Sequence, residues 1–111
     1  MNPKQSNFVN GLPEMLILRL VSVEEMYGYQ LVAAIRERSG DTFTFGEGCI
    51  YPILHKLVGL RCLTSRRQVV DGRPRHYYKT SAKGRKRLDG LSAEWKETVS
   101  GAHAIMEAQY V

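Results

Sequence analysis

Two β-prone runs joined by an Asp-Gly pair constrain the fold of this chain more than any other feature. The runs are Leu63–Val70 and Arg75–Thr80, and Asp71-Gly72-Arg73-Pro74 lies between them. Asp-Gly favours a tight hairpin because both central residues of the preferred turn need positive φ. The sequence therefore predicts one β-hairpin in the second half of a 111-residue chain, a length that suits a single compact domain.

A nearly apolar segment near the start of the chain predicts a buried first helix over Leu12–Val21. Pro13 is expected in its first turn, where the missing N–H has no intrahelical partner to lose. Glu14 suits the positive end of the helix dipole at that position. The segment 22–27 that follows is predicted to be a short connection without regular structure.

Two further helices are predicted before the hairpin, over Gly28–Ser39 and from about Gly48 to Leu60. Between them lies a loop in which Phe43 and Phe45 favour a short extended segment. The third helix carries an apolar stripe with the spacing i, i+3, i+4, i+7, which indicates a core-facing side. The stripe consists of Ile50, Ile53, Leu54 and Leu57, and the opposite face carries Gly48, Pro52, His55, Lys56 and Gly59.

A long final helix is predicted from a cap at Ser81 to about Tyr110. About 29 residues at 1.5 Å each span about 43 Å, more than a domain of this size covers with its own core. Its apolar and small residues recur at alternating spacings of three and four, the period of a two-helix seam. We therefore expect it to pair with a second copy of the chain. The expected seam consists of Leu88, Leu91, Trp95, Thr98, Ala102, Ile105 and Gln109.

Positive charge is concentrated in one quarter of the chain. Ten of the 16 Lys and Arg residues lie between Arg61 and Arg87, where Asp71 is the only acid, whereas the remaining six bases face ten acids. Such a cluster predicts a polyanionic partner, because neutralising phosphates releases condensed counterions. The alternative interpretation, a solvated charged face, stays open on charge alone.

Several classes of protein are disfavoured by what the sequence lacks. No apolar run approaches a membrane span, and the first ten residues have no apolar core typical of a secretory signal, so a cytoplasmic location is expected. Cys49 and Cys62 have neither zinc-site nor disulfide-framework spacing. With three histidines, no Gly-rich phosphate loop and no paired carboxylates near a nucleophile, we expect no enzyme, no metal and no cofactor.

The order of three helices, a basic hairpin and a protruding helix fits a winged helix-turn-helix of the mostly α, α+β class. In that fold the third helix lies in the major groove of double-stranded DNA, and the hairpin forms a wing that reaches phosphates or the minor groove. We expect residues 1–80 to form the DNA-binding domain, with 1–10 as an N-terminal arm. Residues 81–111 are expected to form the C-terminal dimerisation helix.

The residues also resemble the PadR-type transcriptional regulators over about positions 11–96. The matching stretches include Tyr27-Gly28-Tyr29-Gln30-Leu31, Gly48-Cys49-Ile50-Tyr51-Pro52-Ile53-Leu54, Asp71-Gly72-Arg73-Pro74-Arg75-His76-Tyr77-Tyr78, and Trp95. The resemblance implies a homodimeric repressor that binds a palindromic operator and releases it in response to a small molecule or another signal. This sequence departs from the family pattern at Cys49, where Ser or Thr is usual. It also departs at Arg61, which replaces a helix-ending glycine and would take a left-handed conformation.

The expected DNA contacts lie on the third helix and the hairpin: Tyr51, Pro52, His55, Lys56, Arg66, Arg73 and Arg75. Because side chains alternate along a strand, Arg66 and Arg67 cannot both face DNA. By resemblance, Trp95 matches an aromatic position that stacks on flat ligands between two subunits, and the alternative is that it only packs the interface. An alternative function is a winged-helix interaction module whose basic hairpin binds an acidic protein.

Overall fold

A computed structural model describes the backbone of residues 3–109 and the side chains of residues 11–109. Four helices and a three-stranded antiparallel sheet alternate along the chain, which confirms the predicted α+β winged helix. The elements are α1 Pro3–Val23, β1 Met26–Tyr27, α2 Gly28–Arg38, α3 Glu47–Gly59, β2 Leu63–Val70, β3 Arg73–Thr80 and α4 Ala82–Met106. We call α3 the recognition helix, and β2, β3 and their turn the wing.

The first helix is longer than predicted, because it begins at Pro3 and not at Leu12. The prediction that Pro13 lies in the first turn is wrong, since Pro13 lies inside the helix. Residues 3–10, predicted to be an arm, are helical backbone. An interior proline removes one hydrogen bond and costs about 3 kcal/mol. At Gly11, α1 approaches α4 so closely that an added Cβ would lie 2.9 Å from Leu91. The helix is therefore packed against α4 immediately before Pro13.

A short strand was missed by sequence reasoning in the segment predicted to be an irregular connection. Met26 and Tyr27 form β1 and pair antiparallel with Tyr78 and Tyr77, which gives the sheet order β1-β3-β2. Two residues carry no measurable alternation, so this strand exists only through its pairing with β3. By contrast, the loop that holds Phe43 and Phe45 pairs with no strand in the described part of the chain. Their rings instead stack 6.0 Å apart.

The core is a single apolar cluster between the three helices and the inner face of the sheet. The predicted α3 stripe is confirmed, with Ile50, Leu54 and Leu57 fully buried and Ile53 partly so. The other buried members are Ile17, Leu18, Val21, Met26, Leu31, Ala34, Ile35, Cys62, Leu63 and Tyr78. This cluster holds the recognition helix against α1 and α2 with its opposite face exposed.

The recognition helix ends as the sequence predicted, with a non-glycine residue in the left-handed region. Arg61 has φ +63°. The N–H of Cys62 donates to the carbonyl of Leu57 at 2.9 Å, and the N–H of Arg61 donates to the carbonyl of Val58 at 3.0 Å. These two hydrogen bonds form a Schellman motif, which closes the helix and aims the chain into the wing.

The final helix starts against the domain and then leaves it. Ser81 caps α4 by accepting a hydrogen bond from the Gly84 N–H at 3.1 Å and donates one to the Arg61 carbonyl at 2.6 Å. From Trp95 to Met106, a segment we call the far half of α4, nearly every side chain is exposed. The molecule is 65 Å long and only 28 × 24 Å across.

Two of the predicted seam residues serve the protomer's own core. Leu88 and Leu91 are half-buried and pack against the apolar cluster beside α1. Both side chains keep exposed surface, so their part in a seam with a second copy stays a prediction. Trp95, Ala102 and Ile105 remain exposed on the far half, with Ile105 64% accessible.

The described residues offer neither a membrane anchor nor a metal centre. Among these elements, no helix combines the length and apolar character needed to cross a bilayer. Within the same part of the chain, no three His, Cys, Asp or Glu side chains come together in a way that could hold a metal ion.

Candidate nucleic-acid interface

The exposed face of the recognition helix is small and polar at its beginning. Tyr51, Pro52 and His55 are all exposed, on the side opposite the buried stripe. The helix begins at Glu47, with Gly46 as its cap residue. Its first turns therefore present a tyrosine ring and an imidazole, with only a glycine and a proline beside them. This face can approach base edges in a major groove.

Tyr51 lies with its ring against the first residue of α2. A Cβ built on Gly28 would be only 2.7 Å from the ring and hydroxyl of Tyr51, so only glycine leaves room for the ring there. Burial raises the pKa of the neighbouring Tyr78 hydroxyl, and Tyr51 raises it further. Tyr51 thus packs through its ring and remains partly exposed.

Recognition helix and wing meet at a shallow cleft of about 160 Å³. It is lined by Tyr27, Gly28, Tyr51, Pro74, Arg75, His76 and Tyr78. Tyr51 and Arg75, two of the predicted contacts, both line this cleft, although Arg75 and His76 are on opposite faces of β3. The cleft also brings in His76, which sequence reasoning missed. Strand alternation could have predicted this position. His76 lies two residues before the buried Tyr78, on the same face of β3, and pairs with Arg67 of β2.

The other face of the wing carries a row of stacked arginine and tyrosine side chains. The Arg75 guanidinium lies 4.5 Å from the centre of the Tyr27 ring, and that of Arg66 lies 4.8 Å from the Tyr77 ring. The two rings meet edge to face at 5.5 Å. Cation–π contacts of this kind hold long side chains in defined positions. The exposed Arg73 extends the row to the wing tip.

Arg66 is less available to DNA than predicted. Its Nε donates to Glu25 Oε2 at 2.6 Å, and its Nη1 donates to Gln68 Oε1 at 2.6 Å. The guanidinium is therefore neutralised by a carboxylate from the connection after α1. Since β2 pairs Arg66 opposite Tyr77, beside β1, the side chain lies next to that connection.

Lys56, a predicted DNA contact, forms an ion pair with α1, although 56% of its side chain stays exposed. Its Nζ donates to Glu14 Oε1 at 3.1 Å, and Arg87 of α4 donates from Nε to Glu14 Oε2 at 2.7 Å. Glu14 is 5% exposed. The sequence assigned Glu14 only to the helix dipole, since the burial of a carboxylate under two distant cations has no local signal.

The charge of Glu14 survives its burial. Burial acts to raise the pKa of the carboxyl, but hydrogen bonds from Arg87 and Lys56 outweigh it, so the pKa lies below its ordinary value. The hydrogen bond to Glu14 correspondingly raises the pKa of Arg87. Glu14 and Arg87 are therefore ionised at neutral pH, and an ion cluster centred on the buried Glu14 carboxylate joins α1, α3 and α4.

Known proteins share both the sequence pattern and this architecture. Residues 17–90 match the Transcriptional regulator PadR-like family. The transcriptional regulator Rv3488 of Mycobacterium tuberculosis is 35% identical over 81 residues, which are 73% of each chain. The crystal structure of smu.1704 from Streptococcus mutans is 32% identical, with a TM-score of 0.78 over 92% of each chain.

A PadR-family transcriptional regulator from Eggerthella lenta is similar throughout. It superposes with a TM-score of 0.77 at 25% identity, covering 95% of this chain and 89% of that one. The family match spans the last third of α1, the recognition helix, the wing and the start of α4. The winged helix with its exposed recognition helix and basic wing thus has the sequence and the fold of one family, and the chain belongs to the PadR-like transcriptional regulators.

Proposed function

We propose that this DNA-binding regulator acts as a homodimeric repressor that binds a palindromic operator and releases it when a small molecule binds. The cleft where Tyr51 of the recognition helix meets Arg75 and His76 of the wing carries the proposal. The exposed recognition helix and a cationic hairpin lie side by side there, and these are the two elements with which winged helices contact DNA.

Each proposed DNA contact has a role that suits its position. His55 and Pro52 face the bases, where imidazole nitrogens can donate or accept and a proline ring can contact a thymine methyl. The Tyr51 hydroxyl contacts a backbone phosphate. Arg73 and Arg75 reach phosphates or a narrow minor groove from the wing. Lys56 and Arg66 make no direct contact in this conformation, because Glu14 and Glu25 hold their charges.

Dimerisation is assigned to the far half of α4. Trp95, Ala102 and Ile105 are exposed there with the spacing of a two-helix seam, and burying such apolar surface is worth roughly 25 cal/mol per Å². Trp95 in this seam would stack on a flat effector between the subunits. Both the effector and repression, as opposed to activation, rest on the family resemblance.

Binding to DNA at several salt concentrations tests the proposal. We expect the duplex upstream of the gene for this chain to bind more tightly than a random duplex. The logarithm of the affinity should fall linearly with log salt, with a slope of about −0.9 per phosphate contact. Absence of binding at any salt concentration would favour the other candidate, an acidic protein partner for the basic hairpin.

A matched pair of variants locates the interface. Arg73→Ala should reduce the salt slope by about one contact, since it removes one wing cation. Arg36→Ala is the control, because it removes the same charge from α2, where Arg36 faces Asp41 at 4.0 Å. Equal effects of the two variants would show only a loss of net charge and would contradict the proposed wing contact.

A further inference from the structure

We propose that Glu14 is a positioning residue that sets the angle between the recognition helix and α4, and thereby the distance between the two recognition helices of the dimer. The inference deepens the proposed dimeric DNA binding and rests on it. It assigns a task to the ion cluster of the buried Glu14 with Lys56 and Arg87, which makes no direct contact with DNA in that proposal.

Both oxygens of the Glu14 carboxylate are committed, and to different helices. Oε1 accepts from Lys56 Nζ at 3.1 Å and from Arg87 Nη2 at 3.3 Å, while Oε2 accepts from Arg87 Nε at 2.7 Å. The pairing with Arg87 uses two guanidinium nitrogens, which fixes orientation as well as distance. A single group of α1 therefore holds one point on α3 and one on α4.

Apolar packing holds α3 and α4 to the shared core, and the Ser81 hydroxyl joins the start of α4 to the Arg61 carbonyl after α3, but farther along α4 the two helices separate. Where Lys56 faces α4, the two helices border a cavity of about 470 Å³. The α3 residue that lines it is Lys56, and the α1 residues are Gly11 and Glu14. The α4 residues are Arg87, Gly90, Leu91 and Glu94. An added Cβ at Gly90 would meet no atom within 4 Å, so no close contact limits α4 at that position. The ion cluster thus adds a polar connection between α3 and α4 at the open space that both helices border.

The ion cluster lies where a small change would displace both the recognition helix and the far half of α4. Lys56 follows His55 directly, so its bond holds the recognition helix next to a proposed base-reading residue. Arg87 lies in the second turn of α4, and the helix continues about 28 Å beyond it to Met106. A rotation of about 5° at Arg87 would shift the far half of α4 by about 2.5 Å over that length. Such a shift approaches the rise of one base pair, so it matters for the separation of two half-sites.

The test compares operators whose half-sites differ in spacing. Duplexes are selected from a random pool with the wild-type protein, and the spacing is then lengthened or shortened by one base pair. We expect the wild type to lose about tenfold in affinity on either change, and Glu14→Gln to lose much less of this preference. Affinity for a duplex with a single half-site should stay within a factor of about two of the wild-type value.

Three variants make the result specific. Glu24→Gln is the matched control, because Glu24 accepts from Arg38 at 3.2 Å on the exposed side of α1 and α2 and should leave the spacing preference unchanged. Lys56→Met releases only α3 and keeps the Glu14–Arg87 pair, so it serves if Glu14→Gln folds poorly. The double variant Glu14→Gln/Lys56→Met should be no worse than Glu14→Gln alone, since both cut one connection.

Spacing preference is a readout that a merely stabilising role would not change. All measurements are made well below the Tm of each variant. Undiminished spacing preference in both Glu14→Gln and Lys56→Met would overturn the proposal. So would an equal loss of affinity for every duplex, the single half-site included. A wild type that selects DNA but ignores spacing would instead overturn the dimeric function on which the proposal rests.

Discussion

Glu14 keeps a negative charge in a place that is nearly closed to water. Removing a carboxylate from water is costly, and the hydrogen bonds from Arg87 and Lys56 compensate for it. Because these bonds favour the ionised form over the effect of burial, the pKa of Glu14 is lower in the folded chain than in an unfolded one.

The depressed pKa of Glu14 predicts a component of acid instability. The carboxyl of an unfolded chain titrates near pH 4.3, so the stabilisation from Glu14 is fully present above about that pH. It is lost as the pH falls through the lower folded pKa. Glu14→Gln should lower the free energy of unfolding by about 1–3 kcal/mol at pH 7, with Lys56 and Arg87 partly hydrated and so limiting the loss.

Urea denaturation at pH 7 and pH 3 checks this prediction. The difference between wild type and Glu14→Gln should shrink at pH 3, because the wild type itself loses the ionised group. Glu24→Gln is again the control and should differ little from the wild type at pH 7, since an exposed pair contributes about 0–1 kcal/mol. If wild type and Glu14→Gln differed in free energy of unfolding by the same amount at both pH values, ionisation of Glu14 would not be what stabilises the fold.

Gly28 and Tyr51 make a second prediction, which separates function from stability. Gly28→Ala would bring a methyl group to 2.7 Å from the Tyr51 ring, and the partly exposed ring can swing out at small cost. We expect a Tm close to wild type with about tenfold weaker DNA binding, because the hydroxyl leaves its proposed phosphate. Gly59→Ala is the control, since its added methyl meets nothing within 4 Å. Wild-type affinity in Gly28→Ala would show that the position of Tyr51 does not matter.

For single residues, the sequence predicted which side chains are exposed better than which partners they bind. Tyr51, Pro52, His55 and Arg73 lie exposed as expected from the periodicity of α3 and the wing. The bonding of Lys56 and Arg66 could not be predicted, because their acidic partners lie 42 and 41 positions away in the chain. A pattern within one helix or strand carries no information on such partners.

Elements with local signals were predicted well, and elements made by tertiary contact were not. The Asp71-Gly72 turn, with φ of +52° and +76°, and the Ser81 cap occur as the residue types require. The two-residue β1 was missed because its pairing partner, β3, lies far along the chain. The start of α1 was misplaced because Pro13 was taken as a boundary.

The end of the recognition helix predicts a stabilising substitution. Arg61 has a left-handed φ of +63°, which costs a residue with a Cβ about 1–2 kcal/mol. Arg61→Gly should therefore raise the free energy of unfolding by about 0.5–1 kcal/mol, after the greater freedom of glycine in the unfolded chain is subtracted. Chemical denaturation measures the change. Arg36→Gly, inside α2, should show the opposite sign, with a loss of about 1 kcal/mol. Destabilisation by Arg61→Gly would mean that the arginine side chain itself stabilises the helix end.

For the molecule as a whole, the exposed far half of α4 predicts self-association. Ala102 lies on the expected seam and is exposed in the protomer, so Ala102→Arg should leave the domain folded while placing a long cation in the interface. Light scattering coupled to size exclusion should then change from a dimer to a monomer at micromolar concentration. Ser100→Arg, about half a turn away on the same helix, should remain dimeric. A dimer in both variants would exclude this seam.

The global arrangement was the part most accessible to sequence reasoning. The length of α4 predicted that the helix would extend beyond its own domain, and it does. Leu88 and Leu91 nevertheless continue the same periodic pattern into the protomer core. A heptad pattern reports an apolar stripe and cannot tell which surface covers it.

In the proposed dimer, the helix that projects from its domain would make gene regulation sensitive to the amount of regulator. The exposed far half of α4 is the surface through which two chains would pair, so the concentration of paired chains would depend on the square of the protomer concentration. Operator occupancy would then rise steeply within a narrow range of expression level. A cell could thus change the state of the target promoter by modest changes in how much of this protein it makes.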